Sequence, residues 1–146
     1  MEKILNYING EWLPPNSGKF LGNRNPANGL VYSEVPDSDA HDAERAIAAA
    51  TAAFSSWSKT SVRERSELLR KLAELIKENA DSLSRDESID NGKPHRLAAE
   101  VDIPRSELNF RFFADLAISL HGEAYRSDSN TMSFTEHAPL GPVVCI

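Results

Sequence analysis

The stretch Pro139-Leu140-Gly141-Pro142-Val143-Val144-Cys145-Ile146 decides the fold class of this 146-residue chain. Two prolines and a glycine make a turn, and the unbroken apolar run after them reads as a strand buried on both faces. Such strands belong to parallel sheets covered by helices, and each parallel neighbour needs a crossover of about a dozen residues or more. The expectation is an α/β protein in which residues 143–146 begin a core strand. The strands beside it are expected beyond this sequence, so that the chain is a truncated, N-terminal piece of a longer one.

Upstream of that strand the apolar residues keep helical time. Ala43, Ala46, Ile47, Ala50, Phe54 and Trp57 recur at three- and four-residue steps, predicting a helix with that face buried and Asp37, Ser38 and Asp39 as its caps. Ser61-Val62-Arg63-Glu64 fits a capping box and opens a second helix, whose buried stripe is predicted at Leu68, Leu69, Leu72, Leu75 and Ile76. A third helix over 81–90 stops at Asn91-Gly92, a left-handed cap, with Pro94 just beyond. The stretch 95–120 is helical again but should bend or restart at Ile103-Pro104, because proline removes a backbone donor.

The first 36 residues read as β structure. Asn9-Gly10 turns a hairpin between Tyr7-Ile8 and Glu11-Trp12-Leu13, with short strands at 19–21 and 30–35. Residues 131–137 alternate, with Met132 and Phe134 on the side expected to be buried. The organisation expected is therefore hairpin and strands over 1–36, helices over 37–122, and over 129–146 an alternating strand followed by the start of the core strand.

Composition narrows the function. Hydrophobic residues at 40% and charged ones at 26% suit a soluble globular protein. The net charge of -6, with basic residues dispersed, argues against a nucleic-acid partner. There is no apolar run near the roughly 18 residues a membrane helix needs, and no apolar leader at the start, so a cytoplasmic protein with no membrane partner is expected. One cysteine allows no internal disulfide.

Few side chains stand out as chemistry. His41, His95, His121 and His137 lack the spacing and acidic company of a zinc site. Gly10, Gly18, Gly22 and Gly29 form no phosphate-cradling turn between strand and helix. Cys145, inside an apolar strand with no basic neighbour, reads as an inert core residue. Asn91-Gly92-Lys93-Pro94 is explained by turn chemistry, and Phe110, Arg111, Phe112 and Phe113 by helix packing. Arg105, one residue after Pro104, is either a surface arginine or a planar fork reaching for a carboxylate.

In order, the motifs become specific. Tyr7-Ile8-Asn9-Gly10-Glu11-Trp12, Asn25-Pro26-Ala27-Asn28-Gly29, Phe54-Ser55-Ser56-Trp57 and Arg63-Glu64-Arg65 resemble the start of the aldehyde dehydrogenase superfamily. Glu87-Ser88-Ile89-Asp90-Asn91-Gly92-Lys93-Pro94, Arg111-Phe112-Phe113-Ala114 and Pro139-Leu140-Gly141-Pro142-Val143 continue the likeness in register. Within the family, Val101-Asp102-Ile103-Pro104-Arg105-Ser106 with Asn109-Phe110-Arg111-Phe112-Phe113 looks most like enzymes for 2-aminomuconate or 2-hydroxymuconate semialdehydes.

The resemblance implies the N-terminal strands and helices of a Rossmann-like cofactor domain plus one bridging strand, at 131–137, used for oligomerisation. It further implies NAD or NADP as hydride acceptor, a small-molecule aldehyde as substrate, and a homo-oligomer, dimer or tetramer. In such enzymes a cysteine thiolate attacks the aldehyde, amide donors hold the oxyanion, and a glutamate helps water release the acid. Those groups are expected outside this chain, which carries no catalytic and no cofactor-binding residue and should be inactive alone. Alternatives are a short non-catalytic chain that pairs with full-length subunits, and an unstable truncation. Two carry-overs fall within the chain. Asp90, with backbone carbonyls near Asn23 and Arg24, resembles a structural Na⁺ or K⁺ site, and Arg105 matches a tunnel position that faces a substrate carboxylate in the muconic branch.

Overall fold

A computed structural model describes residues 1–145. It has an α/β architecture with the elements β1 (Glu2–Lys3), β2 (Asn6–Ile8), β3 (Glu11–Leu13), β4 (Phe20–Arg24), β5 (Val31–Pro36), α1 (Ala40–Trp57), α2 (Val62–Glu78), α3 (Ala80–Asn91), α4 (His95–Leu97), a π-helical turn (Ala98–Asp102), α5 (Ile103–Ser119), β6 (Ala124–Arg126) and β7 (Met132–Phe134). Three small sheets form: β1-β5-β4, in which β1 runs parallel and β4 antiparallel to β5, and the antiparallel pairs β2-β3 and β6-β7. The β2-β3 hairpin turns at Asn9-Gly10, both with positive φ, as an Asn-Gly pair should.

Helix starts follow local chemistry. The Asp39 carboxylate accepts the His41 and Asp42 amides at 2.9 and 3.2 Å, and Asp42 returns a bond from the Asp39 amide. Asp42, 3% exposed, also accepts the Asn16 amide through both oxygens at 3.0 Å, fastening the 14–18 loop to the start of α1. The Ser61/Glu64 box opens α2 with bonds of 3.1 and 2.8 Å. Gly92, at φ 76°, ends α3 as a left-handed cap.

Packing departs from the expected stripes. The fully buried residues along the α2–α5 seam are small: Ser66 and Ala73 on α2, Ala114 on α5. Ser66 donates to the Ala114 carbonyl at 2.8 Å, so the helices meet almost backbone to backbone. Leu69 and Ile76 are half-buried beside that seam, whereas Leu68, Leu72 and Leu75 face outward. Leu68, Leu72 and Leu75 lie roughly a quarter-turn around the helix from Leu69 and Ile76, and a single neighbouring helix covers only one of the two faces. On α1 the predicted face is also open, with Ile47 and Trp57 about half exposed.

The interruption near Pro104 takes a particular form. The helix restarts there as α5, after widening into the π turn just upstream, where the Ile103 amide donates to the Ala98 carbonyl five residues back. The insertion carries the helix past a residue that has no amide to offer.

The expected core strand is not formed among the described residues. Val143, Val144 and Cys145 make no strand pairing and are exposed, and Leu140 is fully exposed. Residue 146 lies outside the described residues. A strand buried on both faces needs partners for its backbone, and among the described residues no strand lies beside 143–145. Cys145 is therefore an exposed free thiol here rather than a packed core residue. The alternating strand does form, as β7, but pairs with β6, which the polar sequence around it concealed. Met132 and Phe134, expected on a buried face, are 64% and 73% exposed because nothing among the described residues covers that side.

Candidate functional site

The residues that the sequence singled out gather where β4 and β5 meet the end of α3. Asn23 sits on β4 opposite Ser33, next to a register shift between Asn23 and Arg24. Its amide donates to the Asp90 Oδ1 at 3.0 Å, and the Tyr32 hydroxyl donates to the same oxygen at 2.7 Å. The Asn23 amide also reaches the Tyr32 oxygen at 2.8 Å, closing a triangle of three side chains. The bonds from Asn23 and then Tyr32 hold the Asp90 carboxyl below its ordinary range. The same bond to Asp90 pushes the Tyr32 hydroxyl up.

Arg24 points elsewhere, donating to the Gly29 carbonyl at 3.1 Å within the 25–29 turn. That turn abuts the end of α3: a Cβ on Gly92 would lie 3.0 Å from the Pro26 side chain. The geometry thus brings Asn23 and Asp90 together through a side-chain amide donor, with Tyr32 as an unforeseen third member. The oxygen chemistry of this corner suits a hard monovalent cation, yet Asp90 Oδ1 is already occupied by two hydrogen-bond donors. Among the described residues, no group of three or more His, Cys, Asp and Glu side chains is placed to hold a metal ion.

Beside the triangle lies a cleft of about 620 Å³ whose lining includes Ile4, Ser33, Leu83, Ile89, Asp90 and Ile103. Ser33, 1% exposed, has a hydroxyl with no partner among the described residues. Arg105 is outside this cleft, exposed near the start of α5, and makes no ion pair among the described residues. The two candidate sites are therefore separate. His95 meets Ser84 at 3.2 Å, but the Ser84 hydroxyl also lies 3.0 Å from the Asp81 carbonyl, a bond only the hydroxyl can donate, so this contact caps a turn rather than arming a nucleophile.

Sequence reasoning passed over Lys93 as turn chemistry. Its ammonium binds the Asp102 carboxylate at 2.6 Å and the Glu87 carboxylate at 2.8 Å, which together push its own pKa up. Nothing in a linear reading marks it, since its partners lie on two different helical segments.

Comparison with known proteins identifies the fold and the family. The aldehyde dehydrogenase family model matches residues 12–146. An aldehyde dehydrogenase of Vibrio cholerae is 42% identical over 138 residues, covering 94% of this chain and 27% of that protein. An acetaldehyde dehydrogenase of Pseudomonas aeruginosa is 41% identical over the same span. The NAD⁺ complex of a Bacillus cereus aldehyde dehydrogenase superposes with a TM-score of 0.90 at 33% identity, over 95% of this chain and 29% of that one. The chain belongs to the aldehyde dehydrogenase family. It spans about 27% of the length of the curated relatives it matches, and its strands and helices correspond to their N-terminal, cofactor-domain region.

Proposed function

We propose that this chain is the N-terminal part of an NAD- or NADP-dependent enzyme that oxidises an aldehyde to a carboxylic acid. The carrying observation is the family match from residue 12 to 146. The cofactor would supply the hydride acceptor. Its pyrophosphate has no glycine-rich turn to sit on among the described residues, so this chain's share of the work is framing and substrate positioning. Alone it should form no NADH from NAD⁺ and an aldehyde; turnover by the purified chain would overturn that reading.

Within the family the substrate is an aldehyde that also bears a carboxylate, of the muconic semialdehyde kind, and Arg105 is its anchor. The support is an exposed guanidinium without an ion-pair partner among the described residues, just beyond Pro104. A guanidinium presents a fixed fork to a carboxylate, and removing it leaves that charge unpaired. In the full-length enzyme, Arg105→Ala should raise KM for acidic aldehydes about tenfold or more and leave neutral ones nearly unchanged. Equal kinetics on both substrates would remove Arg105 from the site.

A structural Na⁺ or K⁺ held by Asp90 and the carbonyls of Asn23 and Arg24 completes the reading. Its support is the juxtaposition of Asn23 with Asp90, and turning the Asn23 amide over would exchange its donor for an oxygen. The protein works in the cytoplasm as a homo-oligomer, through the open edges of the β6-β7 hairpin. Those same edges, with Tyr125, Met132 and Phe134 exposed, support the second reading, a short chain that associates with full-length subunits. Co-elution of this chain with a full-length family member would favour it, and separate elution would remove it.

A further inference from the structure

We propose that Lys93 is a positioning residue: its ammonium, held between Glu87 and Asp102, locks the π turn Ala98–Asp102 and so sets the rotation of α5 that presents Arg105. The last clause rests on the substrate reading above, whereas the lock itself does not.

The need for a lock comes from Pro104. In an unbroken α-helix its ring would press on the Glu100 carbonyl and leave that carbonyl without a donor. The chain avoids this by carrying one extra residue in the turn before it, with Ile103 donating to Ala98. A π turn is rare because the wider ring packs poorly, and it survives where surrounding contacts hold it. Here Ala98 is fully buried, and Asp102, the last residue of the turn, is gripped by Lys93 Nζ at 2.6 Å.

Lys93 reaches across from a rigid base. Its amide donates to Asn91 Oδ1 at 2.9 Å, and its carbonyl accepts from the Ser88 hydroxyl at 2.7 Å. One residue before it, Gly92 takes a positive φ and packs on the 25–29 turn. Glu87, which shares the ammonium, also accepts from Asn91 Nδ2 at 2.6 Å. With backbone groups fixed on both sides and a side chain only 25% exposed, the ammonium has little freedom to follow Asp102 elsewhere.

Each residue of an α-helix turns it by about 100°, so erasing the extra residue would rotate everything after Asp102 by about that angle relative to what precedes it. Downstream, α5 is tied to α2 by the Ser66 bond to the Ala114 carbonyl and by Arg70 to Asp115 at 2.5 Å. Arg105 lies between the Asp102 lock and these fixings at Ala114 and Asp115, in the first turn of α5. Its direction is therefore decided by the lock upstream and the helix seam downstream together.

Amide hydrogen exchange on the 146-residue chain tests the lock. Lys93→Met should speed exchange of the Ile103 amide about tenfold or more, while amides in the middle of α2 change less than about twofold. Lys93→Arg, which keeps the charge, should restore most of the protection. Asp102→Asn should reproduce the loss, and the double variant Lys93→Met/Asp102→Asn should add little to either, as expected for partners in one interaction. Unchanged Ile103 exchange in Lys93→Met would overturn the proposal. So would an equal loss of protection throughout α2 and α5, because the lysine would then hold the fold as a whole. Asp102→Asn, which keeps the Lys93–Glu87 pair, guards against a Lys93→Met chain that fails to fold. In the full-length enzyme Lys93→Met should raise KM for acidic aldehydes with little change in kcat. If exchange responds and this KM does not, the lock stands and the Arg105 anchor falls.

Discussion

The β4-β5-α3 corner and the β6-β7 hairpin are both stitched by polar side chains, yet they are anchored very differently. At the corner, Asp90 is bound to Asn23 and Tyr32, which lie 67 and 58 residues away in sequence. At the hairpin, Arg126 reaches the Ser129 carbonyl and Ser127 meets Ser133, partners three and six residues apart. Local bonds shape a turn but bury almost nothing, and a lone two-stranded hairpin is marginal in water. Long-range bonds close loops and fix one element against another. The corner is thus part of the chain's frame, whereas the hairpin offers an apolar face and, among the described residues, two unpaired edges.

Three changes would break or sharpen that contrast. The largest effect belongs to the helix seam on which the framed half rests. Ala114 is fully buried against α2, so Ala114→Leu should overpack it and lower the urea unfolding free energy by about 2 kcal/mol. A cost below about 0.5 kcal/mol would show that α2 and α5 pack loosely.

Next comes Asp90→Asn, which keeps the shape of the triangle and removes its charge. Bonds to charged groups are worth more than neutral ones, but Asp90 is exposed, so the loss at neutral pH should be about 0.5–1 kcal/mol. The sign with pH follows from the lowered carboxyl. Its contribution is fully present above the ordinary value of 3.8 and is lost as pH falls through the lower folded value. Melting curves of the native chain and Asp90→Asn should therefore converge on acidification below 3.8, and a gap that persists there would assign the loss to something other than charge.

The smallest effect is expected at the hairpin. Phe134 is 73% exposed, so Phe134→Ser should change the stability of this chain by less than about 0.5 kcal/mol. A large loss would mean that its ring is already covered, for instance by a second copy, and sedimentation of the same sample would show it.

How far the sequence could be read depended on the range of each interaction. The Asp39 cap, the Ser61/Glu64 box and the Gly92 stop lie within a few residues and were legible, whereas the return bond from Asp42 that completes a box at α1 was not read. Pro104 announced an interruption, but its form as a π turn upstream depends on Asp102 finding Lys93 and on Ala98 finding a buried seat. Asp90 and Asn23 were legible only through family likeness, and Tyr32 not at all, since a tyrosine in a strand gives no sign of a carboxylate 58 residues away. The helical stripes misled in a simple way. Periodicity shows that a helix has an apolar face, not which neighbour, if any, covers it.

By itself the sequence determined where helices and turns begin and end, because caps, left-handed glycines and a missing proline amide act over a few residues. It also determined the family, through motifs kept in order along the chain. Only the tertiary structure decided which faces are covered: small residues line the α2–α5 seam, while Leu68, Leu72, Phe134 and Val143 remain open. The same holds for the Asp90 triangle and the Lys93 lock. Burial and ion pairing depend on segments far apart in the chain arriving at one place, and no local pattern records that meeting.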